Sequence, residues 1–421
     1  AGRCPRSSVA GVYAHPRHRW NYGGEMTPST RDVEDSEPTG VPESIDALTA
    51  AQVDVDVRTV DQLILLGLFD LVSSSDAAQR EGWTTADLAA ELCVVSRHRW
   101  VLDRWLQDLI EHGLVDRVSN GYARLDRPSR AQLRTARSAM MQAAARLGHG
   151  PVLAMTLLES LRQAPKLLRD EVAVQNLLYP AGGTEFAEDV YGTNAVSRYL
   201  NAAAAEQLAA VAHDGPIRVL ELGAGIGATT TAVATRGVLL QQYVYSDLSS
   251  WFLQLGRLQF EARLPLLTLP LDIDHDFTPQ LAEHGVALAF DAVLAATMAH
   301  NARDVGQLLK RVHRTLRPGG CLVLIETVQE RAQSLTTMPF ALSAPADRPE
   351  ATLDPGSGAR RDDVRRETLR TYLTEAEWLA HLSAAGFELQ TRMPDPDHPL
   401  YPASQRMFAA RSAARPKETM L

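Results

Sequence analysis

Cysteine is nearly missing from this chain. Cys4, Cys93 and Cys321 are its three copies. They stand in unrelated contexts without a CxxC pair, which excludes a Cys-built zinc site and predicts no structural disulfide, the habit of a reducing compartment. Long apolar runs are also lacking. None approaches the roughly 20 residues that span a bilayer, so no membrane anchor and a cytoplasmic location are expected. There is no excess of positive charge: 42 Lys and Arg stand against 51 Asp and Glu, net −9, which argues against wholesale nucleic-acid binding. The first 24 residues hold no acidic residue and no apolar h-region, which argues against a secretory signal. The first methionine is Met26, behind Gly23-Gly24-Glu25. We expect translation to start there, with residues 1–25 a non-native leader or a disordered tail. Residues 26–56, rich in Pro, Ser, Thr and acid, read as a flexible lead-in.

What is present is enough apolar sequence for several cores. With 421 residues, 45% of them hydrophobic, two or three units are expected. The first, over 57–128, begins with VRTVDQLILLGLFDLV at helical spacing. Thr84 and Thr85 offer an N-cap for TTADLAAEL, and HRWVLDRWLQDLIEHGL gives a third helix ending at Gly113. LVDRVSNGYARL then predicts a hairpin turning at Asn120-Gly121. Three helices and a two-stranded wing make a winged-helix-like unit. A DNA-binding reading places Arg97, His98, Arg99 and Arg104 on its recognition helix. Trp100, Trp105, Asp103 and Asp108 on the same helix favour packing, so dimerisation (a homodimer) or support of a substrate cavity is the better reading. Residues 129–213 are expected to be a helical linker and substrate lid, with Met140, Met141 and Met155 in the core.

The chemistry lies in 214–421. IRVLELGAGIGATT reads as a strand, a glycine-rich turn and a helix. Gly223, Gly225 and Gly227 let the backbone approach a ligand at the strand's carboxyl end. The glycines alone do not separate NAD from S-adenosylmethionine. Glu221, inside the strand, is placed to anchor the loop or accept from a cationic ligand. Asp247 ends the next strand about twenty positions on, as a ribose-hydroxyl acceptor should. LTLPLDID ends a third strand at Asp272, beside Ile273, suited to an adenine amine. FDAVLAAT and CLVLIE supply the fourth and fifth strands, with a helix between them. Such alternation predicts a doubly wound α/β parallel sheet.

These segments resemble the class I S-adenosylmethionine-dependent methyltransferases, whose Rossmann-like sheet has seven strands. Glu221 to Gly227 look like their first motif, with Asp247 and Asp272 as the second and third. LTEAEWLAHLSAAGFEL and SQRMFAARS look like the closing helix and strands. More narrowly, GGTEFAEDVYGTNAVSRYLN, YSDLSSWFLQLGRLQF, VLAATMAHNARDVGQLLKRVHRTLRPGG and LVLIET resemble the C-methyltransferase domains of polyketide and nonribosomal peptide synthases. The first unit separately resembles the winged-helix domain of small-molecule O-methyltransferases.

His300, just past the fourth strand, and Glu326, ending the fifth, form a candidate general base held by a carboxylate. The resemblance implies that this pair removes the α-proton of a β-ketoacyl thioester, whose enolate is then methylated, with Tyr191 near the substrate. It departs at TTMPFALSAPADRPEATLDPGSG, where the family carries Gly-Trp-Trp; a mobile lid is expected there. No carrier, ketosynthase or adenylation motif is present, which predicts action in trans on a tethered or free acyl substrate. His300 and Glu326 as metal ligands lack an identifiable third, so no metal is expected. O- or N-methylation, a dehydrogenase, and a non-catalytic DNA-binding, ligand-sensing regulator are the competing readings.

Overall fold

The computed structural model describes residues 48–344 and 361–413. The expected leader 1–25, most of the lead-in 26–56 and part of the expected lid (345–358) lie outside them. Thr49 accepts a hydrogen bond from the Gln52 amide and opens α1 (Ala50–Ser73), ahead of the expected start at 57. Thr84 and Asp87 form a reciprocal capping box at α2 (Thr85–Glu91). Then come α3 (Arg99–Glu111) and a hairpin of β1 (Arg117–Val118) and β2 (Gly121–Tyr122).

Of the cationic residues that a DNA-binding unit would present here, Arg97, His98 and Arg104 are turned to internal partners, while Arg99 is exposed. Trp100 and Trp105 are fully buried. Their indole N–H groups donate to Ser343 Oγ at 3.0 Å and to the Leu335 carbonyl at 2.9 Å. Arg97 donates to Asp170 and to the Ala344 carbonyl. His98 bonds Ser343 and Asp170, and Arg104 is buried against Asp108 at 2.9 Å. The core of this helical unit therefore includes Ala332, Leu335 and Phe340 from far along the chain. Residues 336–344, the described start of the expected lid, are packed there, with Thr336 bonded to Ser160 at 2.6 Å.

Next come α4 (Arg130–Arg146), α5 (Pro151–Leu168) and α6 (Ala195–Val211). Met140 is core, whereas Met141 and Met155 are 46% and 65% exposed, on the outer faces of their helices, which corrects the expectation for those two. Asp189 takes the place of a local cap for α5: its carboxylate accepts from the amides of Gly150 and Leu153, both at 2.9 Å.

Seven strands make the main sheet: β3 (Ile217–Leu222), β4 (Leu240–Asp247), β5 (Leu266–Pro270), β6 (Phe290–Ala296), β7 (Leu316–Thr327), β8 (Phe387–Met393) and β9 (Gln405–Ser412). Their order is β5-β4-β3-β6-β7-β9-β8. β3 to β7 run parallel, and β9 runs antiparallel to both of its neighbours. The connecting helices are α7 (Ala228–Arg236), α8 (Ser250–Phe260), α9 (Phe277–Ala282), α10 (Val305–Thr315) and α11 (Glu375–Ala384). One face buries Leu220, Val293, Leu308 and Trp378 in a common core. The other packs Val219 with Leu200 and Leu208 of α6 and with Val53 and Val57 of α1, so α1 serves both the helical unit and the sheet. Strand order reverses between β3 and β6, which opens a crevice at the carboxyl ends of these strands. Cys321 is buried and free.

No helix among the described residues is long and apolar enough to cross a membrane.

Candidate active site

The glycine turn follows β3 directly. Gly223, Gly225 and Gly227 have φ of 57°, 57° and 76°, the left-handed region that side chains resist. A Cβ on Gly223 would sit 2.9 Å from the Met298 side chain, and one on Gly227 would run into Phe260. The turn is clamped to β4: the Gly225 amide donates to Asp247 Oδ2 at 3.0 Å, and the Tyr245 hydroxyl donates to the Gly225 carbonyl at 2.6 Å.

Glu221 is 1% exposed. Its Oε2 accepts from Thr230 Oγ1 at 2.6 Å and Tyr243 Oη at 2.8 Å. Burial pushes its carboxyl up to about 7. It ties β3 to β4 and to the first turn of α7, the anchoring half of what the sequence suggested. Asp247 ends β4, and its Oδ1 accepts from the Ser249 amide at 2.8 Å; burial pushes it up to about 6. Asp272 lies two residues past the end of β5 rather than at it. Its Oδ1 accepts from the Asp274 amide, and its Oδ2 is 3.1 Å from His275 Nδ1. Ile273 is fixed through its carbonyl by Arg311 at 3.1 Å.

Glu221, the turn, Asp247, Asp272 and Ile273 line one cavity of about 540 Å³. A cradle that excludes side chains, with carboxyl groups at the end of β4 and just past β5, fits S-adenosylmethionine.

His300 is in a helical turn after β6 (Ala299–Asn301) and is 4% exposed. Glu326, fully buried near the end of β7, sits beside it: Nδ1 is 3.0 Å from Oε2 and 3.2 Å from Oε1. Oε1 also accepts from the His300 amide at 3.1 Å. The carboxyl group thus engages the Nδ1 edge of the ring, opposite Nε2. Three features that sequence reasoning missed fix this turn. Arg365, fully buried, donates to the carbonyls of His300 and Ala302 at 2.6 and 2.7 Å. Tyr372 packs edge-on against the imidazole with centroids 5.0 Å apart. Thr297, at φ 50°, bonds through its amide to the Ile325 carbonyl at 2.7 Å. One Arg among the four of RRDDVRRE carries no sequence signal that sets it apart from its neighbours.

His300 opens not on the first cavity but on a smaller one of about 160 Å³, which has Tyr191, Thr297, Met338 and Gln405 as walls in common with the first. Val57, Leu153 and Leu157 of the helical unit line its far side. Tyr191 stands in a wide turn (Asp189–Thr193) pinned by Asn201 Nδ2 to its carbonyl at 2.9 Å. Burial, with the nearby charge of Glu326, pushes its phenol above the ordinary value. The structure thus brings Tyr191, His300 and Glu326 to one junction, with the glycine turn and its acids on the other side. Among the described residues no group of three or more His, Cys, Asp or Glu is arranged to hold a metal ion.

Residues 220–322 match the methyltransferase domain family Methyltransf_12. That stretch carries the sequence pattern of a methyltransferase domain and contains the glycine turn, Asp247, Asp272 and His300. The fold is similar to that of the CurJ carbon methyltransferase, which superposes with a TM-score of 0.72 at 21% identity, covering 88% of this chain and 95% of that one. The trans-methyltransferase CalH, solved with S-adenosylhomocysteine, gives 0.57 at 17% identity over 90% and 98%. In sequence, the polyketide synthase PksM of Bacillus subtilis (strain 168) is 27% identical over 58% of this chain. The chain spans 6% of that synthase's length.

Proposed function

We propose that this chain is an S-adenosylmethionine-dependent C-methyltransferase of polyketide or nonribosomal-peptide biosynthesis. Its acceptor is a β-keto or α-keto acyl group, carrier-bound or free. The observation that carries the reading is the buried His300–Glu326 pair, opening on a partly apolar cavity that abuts the glycine cradle. Bound S-adenosylmethionine supplies an electrophilic methyl on a sulfonium. Gly223, Gly225 and Gly227 make room for it, Asp247 accepts the ribose hydroxyls, and Asp272 with Ile273 receives the adenine. Glu221 holds the turn. His300 Nε2 takes the proton from the activated carbon, and the Glu326 carboxylate offsets the charge that the imidazole acquires. Tyr191, at the wall common to both cavities, positions the acceptor. The dry walls supplied by Leu153, Leu157 and Met338 keep water from the carbanion. Arg97, His98 and Arg104 are spent on internal partners, which counts against the DNA-binding reading of α3.

The test is mass-spectrometric turnover with a β-ketoacyl carrier protein beside a panel of free phenols and α-keto acids. One added methyl on the acyl carbon is expected. His300→Ala should lower its rate by about 10²–10⁴-fold with S-adenosylhomocysteine affinity unchanged. Methylation of phenols alone would reassign the chain to O-methylation.

A further inference from the structure

Arg361 is a buried cation with no hydrogen-bond partner among the described residues. It is 2% exposed, yet none of its three guanidinium nitrogens makes a hydrogen bond to them. It lines the larger cavity. Its guanidinium lies 5.6 Å from the Trp100 ring centroid, so α3 gives it an aromatic shelf. The nearby opposite charges act on it through space only. Glu330 Oε2 accepts from the amides of Thr371 and Tyr372 while its Oε1 is buried with no hydrogen-bond partner among the described residues, and Asp363 is held by Arg365 at 2.7 and 2.8 Å. Burial pulls the Arg361 guanidinium down to about 9, which leaves it charged at neutral pH. A charge taken out of water with its donors unmade is costly, and the cost is offset when an anion arrives in the cavity. Glu221, Asp247 and Asp272 line one part of this cavity, whereas Arg361 and Arg366 line it from the segment after β7, together with Asp362, which pairs with Arg303 at 2.9 Å. Tyr372, the neighbour of His300, lies within electrostatic reach of Arg361.

We infer that Arg361 is the seat of a resident oxyanion on the acceptor, a carboxylate or a phosphate, gripped by the guanidinium fork while His300 works on the carbon. The inference rests on the methyltransferase reading and narrows its acceptor class to anions. A planar fork with every donor unmade suits two oxygens of one group. A transient enolate would leave the cost uncompensated in the resting complex.

The test is calorimetric binding to the full chain loaded with S-adenosylhomocysteine, which needs no turnover. Two matched pairs of probes separate the sources: 3-oxohexanoate against its ethyl ester, and 3-oxohexanoyl pantetheine 4′-phosphate against the same thioester without phosphate. The charged member of one pair should bind better. Arg361→Met should weaken it about 10–100-fold and erase the preference, while Arg361→Lys restores part of it and the neutral member is unmoved. The proposal is overturned if both pairs bind without discrimination or not at all, or if the preference survives in Arg361→Met. It is also overturned if Arg361→Met lowers S-adenosylhomocysteine affinity instead, which would give the cation to the cofactor's own carboxylate. Wild-type chain that fails to bind S-adenosylhomocysteine would sink the methyltransferase reading; the probe pairs would then be read on the free chain. Thermal melts of Arg361→Met and a second variant, Arg361→Gln, separate lost folding from lost binding.

Discussion

At the scale of residues, burial decides how the cofactor-end carboxylates respond to pH. Asp247 titrates near 6 in the folded chain because it lies out of water, and in the proposed cofactor site its ionised form would be the better acceptor for ribose hydroxyls. Binding therefore releases a proton below that value. The dissociation constant for S-adenosylhomocysteine, measured by calorimetry from pH 5 to 8, should fall as pH rises through about 6 and then level off. Asp247→Asn should bind weakly with a flat profile. Glu221 carries the opposite lesson for stability. Its carboxyl is near 7 when folded and about 4.5 when unfolded. Between those values the native state holds a proton that the unfolded chain has lost, so stability is fully present below about 4.5 and declines as pH rises toward 7. Urea unfolding at pH 5 and 8 should show this decline, on the order of 1–3 kcal/mol. Glu221→Gln, which keeps an acceptor for Thr230 and Tyr243, should flatten it.

Among elements, α3 is the one whose role changes most between sequence and structure. Its amphipathic pattern and its tryptophans are local facts, but what they pack against is not. Trp105 meets Leu335, 230 positions away, and Trp100 meets Ser343 and Arg361. α3 thereby braces residues 332–344, whose Met338 lies in the wall common to both cavities. Truncating Trp105 to Ala leaves a void in a close-packed core and an unpaired carbonyl at Leu335. A loss of about 3–5 kcal/mol is expected in denaturant unfolding. The lost brace should also raise the acceptor's KM more than it lowers S-adenosylhomocysteine affinity. The sheet's elements, in contrast, were legible one by one. The strand–turn–helix at 217–236 is written in β-branched and apolar residues running into glycines, and Asp247 follows at the interval of one helix and one strand.

Taken as a whole, the molecule is two units built around common elements. α1 packs Leu63, Ile64 and Leu68 into the helical core while Val53 and Val57 join the core under the sheet. The smaller cavity has walls from α1 and α5 as well as from β7 and the turn carrying His300. A chain cut to 214–413 would uncover the sheet face that α1 and α6 bury. It should melt without cooperativity and bind a hydrophobic dye, in calorimetry and fluorescence against the full chain. Retention of a sharp transition would show that the sheet folds alone.

The sequence by itself determined the parallel α/β architecture, the glycine cradle with Asp247, and the meeting of His300 with Glu326. Each of these follows from short-range pattern: strand periodicity, turn residues that tolerate positive φ, and the rule that neighbouring parallel strands bring their carboxyl ends together. The 26 positions between His300 and Glu326 are one helix and one strand, a separation the topology itself closes. Only the tertiary structure decided that the tryptophans of α3 face inward, that Arg365 reaches 65 positions back to the His300 carbonyl, that Asp189 caps α5, and that Arg361 is buried with no hydrogen-bond partner among the described residues. Those depend on which distant surfaces exclude water from one another. No local periodicity encodes that choice, because an arginine or a tryptophan on a helix reads the same in sequence whether its neighbour is solvent or a buried loop.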